Sequence, residues 1–324
     1  MLESNVGRIA VIGGAGFLGE KLCGILSAAR RDFSNFDIND ADPSIEKIDV
    51  VERGTMSCLQ GHDVIINLAA EHRDDVKPLS RYDEVNVLGA ENICDAARQY
   101  DIRRIIFVSS VAIYGFSDEE LVEDSPPNYF NDYGRTKFEA ERIFNAWFEE
   151  DPENRMLFVV RPTVIFGENN RGNVYNLFRQ IATNRFLMFG DGENIKSIAY
   201  VDNVAAFIAK ACTYTNGYFV HNYADKPDLT MNELVSYTRW VLFGKKNVGL
   251  RLPDSVGYAV GRIADIFART LKLSLPVSRV RVDKFLANTR VGFKDQDKEF
   301  TPPVELEEAI LRTLRHEFSD RSKK

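Results

Sequence analysis

The chain has 324 residues, more than a single hydrophobic core usually serves, so we expect one large α/β domain with a smaller appended unit. Its composition, 44% hydrophobic and 27% charged, is that of an ordinary globular protein. The formal charge of −7 argues against nucleic acid as a partner.

Cysteines and histidines show no metal-binding or disulfide pattern. None has C-x-x-C or Cys/His spacing, which predicts a reduced, cytoplasmic protein with no metal site. The N-terminus lacks the pattern of a signal peptide, and no apolar run reaches the roughly eighteen residues of a membrane span. We therefore expect a cytoplasmic protein with no stable membrane insertion. The residues concerned are Cys23, Cys58, Cys94, Cys212, His62, His72, His221 and His316.

The first predicted strand, Ile9–Ile12, runs into a glycine-rich turn, and a helix is predicted from Glu20 to about Arg30. The turn Gly13–Gly19 fits both G-x-G-x-x-G and G-x-x-G-x-x-G. Such glycines allow a tight turn and close approach to a pyrophosphate, which the helix N-terminus then binds. A glycine-rich turn without a ligand is the alternative.

An acid follows at the spacing that a dinucleotide site requires. Asp37 comes eighteen residues after Gly19, where it should accept the ribose hydroxyls. A carboxylate at this position repels a 2′-phosphate and favours NAD over NADP. Arg30 and Arg31 lie a few residues earlier and moderate that preference.

Short apolar runs alternate with helical periods up to about Arg161, which predicts a doubly wound parallel sheet. The predicted strands are Ile9–Ile12, a segment near Phe36, Val64–Leu68, Ile105–Val108 and Leu157–Val160. The predicted helices are Tyr82–Gln99 and Asn131–Glu150, followed later by Val174–Asn184 and Tyr200–Ala211.

A candidate catalytic pair lies on the second of these helices. Tyr133 and Lys137 are four residues apart and share one helix face. An ammonium beside a phenol lowers the tyrosine's pKa, so we expect Tyr133 to exchange a proton with a substrate hydroxyl. Ser110, after the strand Ile105–Val108, is expected to bond the same oxygen.

With these motifs in order, the chain resembles the extended short-chain dehydrogenase/reductase family, in its NAD-dependent epimerase/dehydratase branch. The resemblance implies a Rossmann-like doubly wound parallel sheet with a smaller C-terminal substrate-binding subdomain. It places the NAD-binding domain in residues 1–166 and the subdomain mainly in residues 167–324, with the helix near 200–213 returning to the first. Its marks are Gly13-x-x-Gly16-x-x-Gly19, Asp37, Asp49-Val50, Asn67–Ala70, Asn86, Ser109-Ser110, Tyr133-x-x-x-Lys137, Arg161-Pro162, Gly190–Gly192 and Tyr200–Asp202.

The resemblance also implies which residues bind the cofactor, and it suggests a homodimer. Asn86 would brace a central strand, Tyr133 would act as acid/base, and Lys137 would support it and contact the cofactor's ribose. The implied cofactor-binding residues are Gly13, Gly16, Phe17, Leu18, Gly19, Asp37, Asp49, Val50, Leu68, Ala69, Ala70, Asn86, Tyr133 and Lys137.

Two departures bear on the reaction. Val111 and Ala112 stand where family dehydratases carry Asp-Glu, so water elimination is not expected. Val164 replaces an asparagine that contacts the diphosphate in many epimerases. The expected substrate-binding residues are Ser110, Val111, Ala112, Lys196 and Arg281.

The sequence therefore predicts an NAD-dependent nucleotide-sugar epimerase or 4-ketoreductase that acts at a hydroxyl, most simply C4 of a UDP-hexose. A hydroxysteroid-type dehydrogenase and a non-catalytic NAD-binding regulator are the alternatives. An apolar stripe near residues 256–271 predicts core packing or a lid, with a membrane surface or a partner helix as its alternative. The stripe consists of Val256, Val260, Ile263, Phe267 and Leu271, beside Arg262, Arg269 and Lys272.

Overall fold

A computed structural model describes residues 6–73, 76–253, 255–256, 287–294 and 300–319. Its centre is a seven-stranded parallel sheet. The described strands are β1 (Ile9–Ile12), β2 (Phe33–Asp37), β3 (Ile45–Lys47), β4 (Val64–Asn67), β5 (Arg104–Val108), β6 (Met156–Pro162), β7 (Val164–Phe166), β8 (Met188–Phe189), β9 (Ile195–Lys196), β10 (Ile198–Tyr200), β11 (Gly217–Tyr223), β12 (Leu229–Thr230) and β13 (Arg251–Leu252).

Helices cover both faces of this sheet. A π-helical segment, Asp83–Leu88, joins α2 to α3, and a 3-10 turn occupies Val111–Tyr114. The described α-helices are α1 (Phe17–Ala28), α2 (Ser80–Tyr82), α3 (Gly89–Gln99), α4 (Asp132–Glu149), α5 (Asn173–Ala182), α6 (Val201–Ala211), α7 (Met231–Phe243) and α8 (Leu306–Phe318).

Alternating strand residues supply the two cores of the sheet. In β1, Ala10 and Ile12 face the core under α3 and α4, whereas Ile9 and Val11 face the core under α1 and α6. This is the period of two that a strand buried on both faces requires. The predicted Rossmann-like doubly wound parallel fold is confirmed.

The order of strands in the sheet is β11-β6-β5-β4-β1-β2-β3, so the chain changes direction between β1 and β4. In doubly wound sheets, ligands bind beyond the carboxyl ends of the strands at such a switch point. The predicted glycine turn follows β1 and the predicted acid ends β2, which places both at this crevice.

The sheet takes its last strand from beyond the boundary predicted at residue 166. After β7 leaves the sheet, α6 packs against α1, and β11 pairs with β6. Asp225 follows β11 and is tied to the start of α6, because its Oδ2 accepts the Tyr200 amide at 2.6 Å and its Oδ1 accepts from Asn203 Nδ2 at 2.9 Å. The helix near residues 200–213, which was expected to return to the first domain, is therefore followed by a strand that joins the central sheet.

The remaining described elements form a smaller unit beside the sheet. Its strand pairs are β7 with β10, β9 with β12, and β8 with β13. Helices α5, α7 and α8 enclose a third core around Phe178, Leu234 and Ile310.

Candidate active site

The turn after β1 is shaped so that only glycine fits at its two ends. Gly13 has φ +87°, and a Cβ there would lie 2.8 Å from the Ala69 amide nitrogen. A Cβ on Gly19 would collide with the carbonyl oxygen of Gly13 and the Cα of Gly14. Helix α1 begins just beyond Gly16, which offers no side-chain cap. The first amides of α1 are thus left for an anion, which fits the pyrophosphate of a dinucleotide.

Asp37 lies at the carboxyl end of β2, next to this turn. Its Oδ2 accepts the Ala15 amide at 3.0 Å, and its Oδ1 accepts the Asn39 amide at 2.9 Å. The carboxylate therefore holds the glycine turn against β2 while lying at the edge where a ribose would bind.

The other predicted cofactor positions surround the same crevice. Leu68, Ala69 and Ala70 follow β4 and are partly buried. Asp49 accepts the Val51 amide at 3.0 Å, and Val50 is buried against Gly89. The two residues that begin α1, Phe17 and Leu18, pack against the core of the smaller unit. Their contacts with a cofactor remain predictions.

Ser110 and Tyr133 come together as expected. Ser110 caps the 3-10 turn after β5 by accepting the Ala112 amide at 3.1 Å, while Asn131 caps α4 by accepting the Gly134 amide at 2.9 Å. Burial raises the pKa of Tyr133, and a hydrogen bond with the Ser110 side chain opposes that rise.

The expectation that Lys137 lowers the pKa of Tyr133 is wrong, because burial raises that pKa and the Ser110 side chain is the group that opposes the rise. Lys137 is 2% exposed, and its Nζ lies 4.4 Å from the centroid of the Phe107 ring. Burial lowers the pKa of Lys137 to about 7, although the Glu141 carboxylate raises it. The ammonium thus faces an aromatic ring, and its burial favours the neutral amine.

Asn86 is buried in the π-helical segment and braces two parts of the site. It bonds the backbone of Glu71, accepting its amide at 2.8 Å and donating to its carbonyl at 3.1 Å. Its Nδ2 also donates to Thr136 Oγ1 at 2.9 Å. Since Thr136 lies between Tyr133 and Lys137, Asn86 couples the end of β4 to the catalytic helix. A π segment at a functional site is a common arrangement.

Tyr82 is a site residue that the sequence analysis missed. It is buried, it lies close enough to Tyr133 that the two phenols disfavour each other's ionisation, and its hydroxyl donates to the Arg73 carbonyl at 2.5 Å. The segment after β4 is thereby held beside the catalytic phenol. A tyrosine four residues before Asn86 was its only sequence signal.

A buried ion pair supports the turn that carries Ser110. Glu141 of α4 and Arg161 of β6 form two hydrogen bonds, of 2.9 and 2.6 Å. Arg161 also donates to the Tyr114 hydroxyl at 2.6 Å, and Tyr114 donates to Asn222 Oδ1 at 2.8 Å. Burial alone would lower the pKa of Arg161, but the hydrogen bonds and the charge of Glu141 outweigh it and raise the pKa above its ordinary value. The guanidinium therefore stays charged.

The structure describes four of the five expected substrate-binding residues, all except Arg281. Val111 and Ala112 follow Ser110 and are partly exposed, and Val164 is 39% exposed. Lys196 donates to the Ala287 carbonyl at 2.5 Å, and burial lowers its pKa to about 8. Arg281 lies outside the described residues, as does the apolar stripe beyond Val256. No helix in the described part of the chain is long and apolar enough to cross a membrane.

Proteins of known family resemble this chain in sequence. The model of the NAD dependent epimerase/dehydratase family covers residues 9–220. The N-acetyl-alpha-D-glucosaminyl-diphospho-ditrans,octacis-undecaprenol 4-epimerase of Escherichia coli O157:H7 is 42% identical over 319 residues, which are 96% of this chain and 95% of the relative. A putative UDP-glucose 4-epimerase of Methanocaldococcus jannaschii is 27% identical over 250 residues, 70% of this chain and 79% of the relative.

Solved structures share the fold over nearly the whole chain. MoeE5 in complex with UDP-glucose and NAD has a TM-score of 0.74 at 22% identity, covering 98% of this chain and all of that one. A UDP-N-acetylglucosamine 4-epimerase from Methanobrevibacter ruminantium has a TM-score of 0.73 at 20% identity, covering 97% and 99%. The protein is thus an NAD-dependent enzyme and belongs to the NAD-dependent epimerase/dehydratase family, as its motifs predicted.

Proposed function

We propose that the protein is a 4-epimerase whose substrate is a hexose joined to its carrier through a diphosphate. The observation that supports this proposal is the hydrogen bond between the Ser110 and Tyr133 side chains, at the carboxyl edge of the sheet, which also carries the glycine turn. An acid/base hydroxyl at the same edge of the sheet as a dinucleotide-binding turn is the arrangement that oxidation of a secondary alcohol by NAD requires.

The residues can perform a reversible oxidation. Bound NAD supplies the hydride acceptor and donor. Tyr133, as its phenolate, takes the proton of the C4 hydroxyl as the hydride leaves C4 and the carbonyl forms, and it returns that proton when the carbonyl is reduced. Ser110 bonds the same oxygen in both steps, and inversion follows if the two faces of C4 are used in turn. Val111 and Ala112 have no proton to give, so an elimination has no acid at these positions.

For the carrier, we favour undecaprenyl diphosphate bearing N-acetylglucosamine. The support is the E. coli relative, whose name gives this substrate and which aligns with nearly the full chain. A UDP-hexose is the second candidate, favoured by structures such as MoeE5 with UDP-glucose. We also propose that the smaller unit, to which α6 and β11 do not belong, binds the substrate.

We propose that the protein works in the cytoplasm as a homodimer. The described cysteines are free thiols, and burial raises the pKa of Cys94 and Cys212, which keeps both unreactive. Light scattering of the purified protein tests the dimer, and cell fractionation tests the location.

The test of the carrier is a direct comparison of substrates. Purified protein with NAD is given N-acetylglucosaminyl-diphospho-undecaprenol in detergent, UDP-N-acetylglucosamine or UDP-glucose, and the sugars released by acid are separated. We expect N-acetylgalactosamine from the lipid-linked substrate, and Tyr133→Phe serves as the inactive control. Turnover of the UDP-sugars alone would assign the nucleotide carrier. No turnover of any of the three substrates would overturn the proposal and favour the hydroxysteroid-type dehydrogenase.

A further inference from the structure

One surface of the smaller unit has a charge opposite to that of the whole chain. Residues 172–190 and 234–253 contain six Lys or Arg residues and no Asp or Glu, in a chain of net charge −7. The two segments pack together, because Ile181 and Met188 share a core with Met231 and Val235. Strand β8 of the first segment also pairs with β13 of the second.

Four cations of these segments define what we call the basic face: Arg179, Arg185, Lys245 and Lys246. All four are exposed, and none forms an ion pair with a carboxylate in the described part of the chain. Among the described residues, the carboxylates that adjoin these segments are Asp191 and Glu193, which follow the first, and Glu233, which precedes the second. Glu307 and Glu308 lie near Tyr237. Within the described residues, no carboxylate competes with an external anion for these four cations.

Large apolar side chains are exposed among these cations. Leu250 is 62% exposed and Leu187 is 40% exposed. The two lie together, since the Met188 amide donates to the Leu250 carbonyl at 3.0 Å. Trp240 is 46% exposed, and Lys246 Nζ lies 5.4 Å from the centroid of its ring. A tryptophan and leucines beside lysines are the mixture found where proteins meet a membrane interface.

A depression on this face can receive a phosphate group. It has a volume of about 420 Å³ and is lined by Arg179, Gln180, Thr183 and Arg185. Two guanidinium groups over a shallow depression suit a phosphodiester, which they can bind with paired hydrogen bonds.

We propose that the basic face docks the enzyme on an anionic phospholipid surface. The charge of the face complements such a surface, and the exposed leucines and tryptophan suit its interfacial layer. The proposal rests on the proposed function, because an undecaprenyl carrier stays in the bilayer while its sugar diphosphate lies outside. Docking at this face would bring the substrate-binding unit to that sugar.

Vesicle sedimentation of the full-length protein tests the docking. One set of vesicles is phosphatidylcholine alone, and the other is an equal mixture with phosphatidylglycerol. We expect binding only to the mixture, weakening as salt is added. Lys245→Glu/Lys246→Glu should weaken binding about 25-fold or more, at roughly fivefold for each lysine lost near the surface. Leu187→Ser/Leu250→Ser should weaken it as well.

The matched control is Lys47→Glu/Arg142→Glu, which makes the same change of net charge at two exposed positions of the NAD-binding domain. It should bind vesicles like the parent protein. Equal binding to both kinds of vesicle, equal losses in the two double variants, or binding to RNA in place of vesicles would each overturn the proposal.

Turnover separates this proposal from the proposed function. Lys245→Glu/Lys246→Glu should slow epimerisation of a substrate embedded in mixed vesicles, yet leave unchanged that of a water-soluble analogue with a short prenyl chain. Loss of vesicle binding with normal turnover on vesicles would overturn the docking and leave the epimerase intact. No turnover of either substrate by the parent protein would instead overturn the proposed function.

Discussion

Tyr133 and Lys137 lie one turn apart on α4, but their side chains meet different surroundings. The phenol contacts Ser110, while the ammonium is buried over Phe107. Burial raises the pKa of Tyr133 and lowers that of Lys137. Both shifts favour the neutral forms of the two side chains.

Tyr133→Phe removes the proposed acid/base hydroxyl and keeps the ring. We expect the turnover number to fall by about 10²–10⁴-fold, the usual contribution of a positioned acid/base group. NAD affinity should be little changed. Steady-state kinetics and NAD titration measure the two effects. Tyr218→Phe, at a 43% exposed position of the edge strand β11, is the control. Equal activity of the two variants would remove Tyr133 from the chemistry.

The titration of Lys137 predicts how stability depends on pH. Because its pKa falls to about 7 in the folded protein, the unfolded chain binds more protons between pH 7 and the ordinary lysine pKa. The free energy of unfolding should therefore rise with pH across this window, by at most about 1.4 kcal/mol per pH unit.

Urea unfolding of the NAD-free protein at several pH values checks this, and Lys137→Met should flatten the rise. A profile identical in the two proteins would show that the ammonium is not buried as described.

The residue scale also shows what the sequence could reveal. The spacing from Tyr133 to Lys137 predicted a shared helix face correctly. It could not predict the direction of the pKa shift of Tyr133, because burial is a tertiary property. Nor could it show that Lys137 faces Phe107, which comes from a strand distant in sequence. Lys196 is similar: the sequence predicted that it binds substrate, and only the fold shows its bond to the Ala287 carbonyl.

At the scale of elements, α1 offers a matched pair of glycines. A Cβ at Gly19 would strike the backbone of Gly13 and Gly14, whereas one at Gly24 would meet no atom within 4 Å. Gly19→Ala should cost about 1–3 kcal/mol by overpacking and should weaken NAD binding. Gly24→Ala, at an exposed helical position, should stabilise the protein by about 0.5–1 kcal/mol.

Urea unfolding and NAD titration of both variants test this arrangement. Equal effects of the two substitutions, or normal NAD binding by Gly19→Ala, would contradict a close packing of α1 on the glycine turn.

The ion pair between α4 and β6 joins the catalytic helix to the sheet. Glu141 is 4% exposed and Arg161 is 7% exposed. Glu141→Gln leaves a buried guanidinium without its counter-charge and should lower the free energy of unfolding by about 3–5 kcal/mol. Glu149→Gln, at an exposed position of the same helix, should change it by no more than about 0.5 kcal/mol.

Chemical denaturation measures both values. A small effect of Glu141→Gln would mean that water or another carboxylate compensates the arginine.

At the scale of the molecule, most of the sheet could be predicted because its strands are short apolar runs bounded by turns. Ile9–Ile12 was predicted with its observed ends. Strand β11 was missed, since Gly217–Tyr223 carries partly exposed polar and aromatic residues at the edge of the sheet. Edge strands lack the continuous apolar run that marks a strand buried on both faces.

The proposed 4-epimerase oxidises and rereduces one carbon, with the glycine turn holding the cofactor and the Ser110–Tyr133 pair handling the proton. Such an enzyme keeps the hydrogen of C4 within the site throughout turnover, and it consumes no net nicotinamide. Mechanisms that move protons on carbon exchange hydrogen with the solvent instead.

The most direct measurement is therefore turnover in D₂O with NAD, on whichever diphosphate-linked sugar proves to be the substrate. Nuclear magnetic resonance of the product reads the hydrogen at C4, and absorbance follows the nicotinamide. We predict inverted configuration, protium retained at C4 and no net change in nicotinamide. Deuterium at C4, or stoichiometric consumption of the cofactor, would contradict the account.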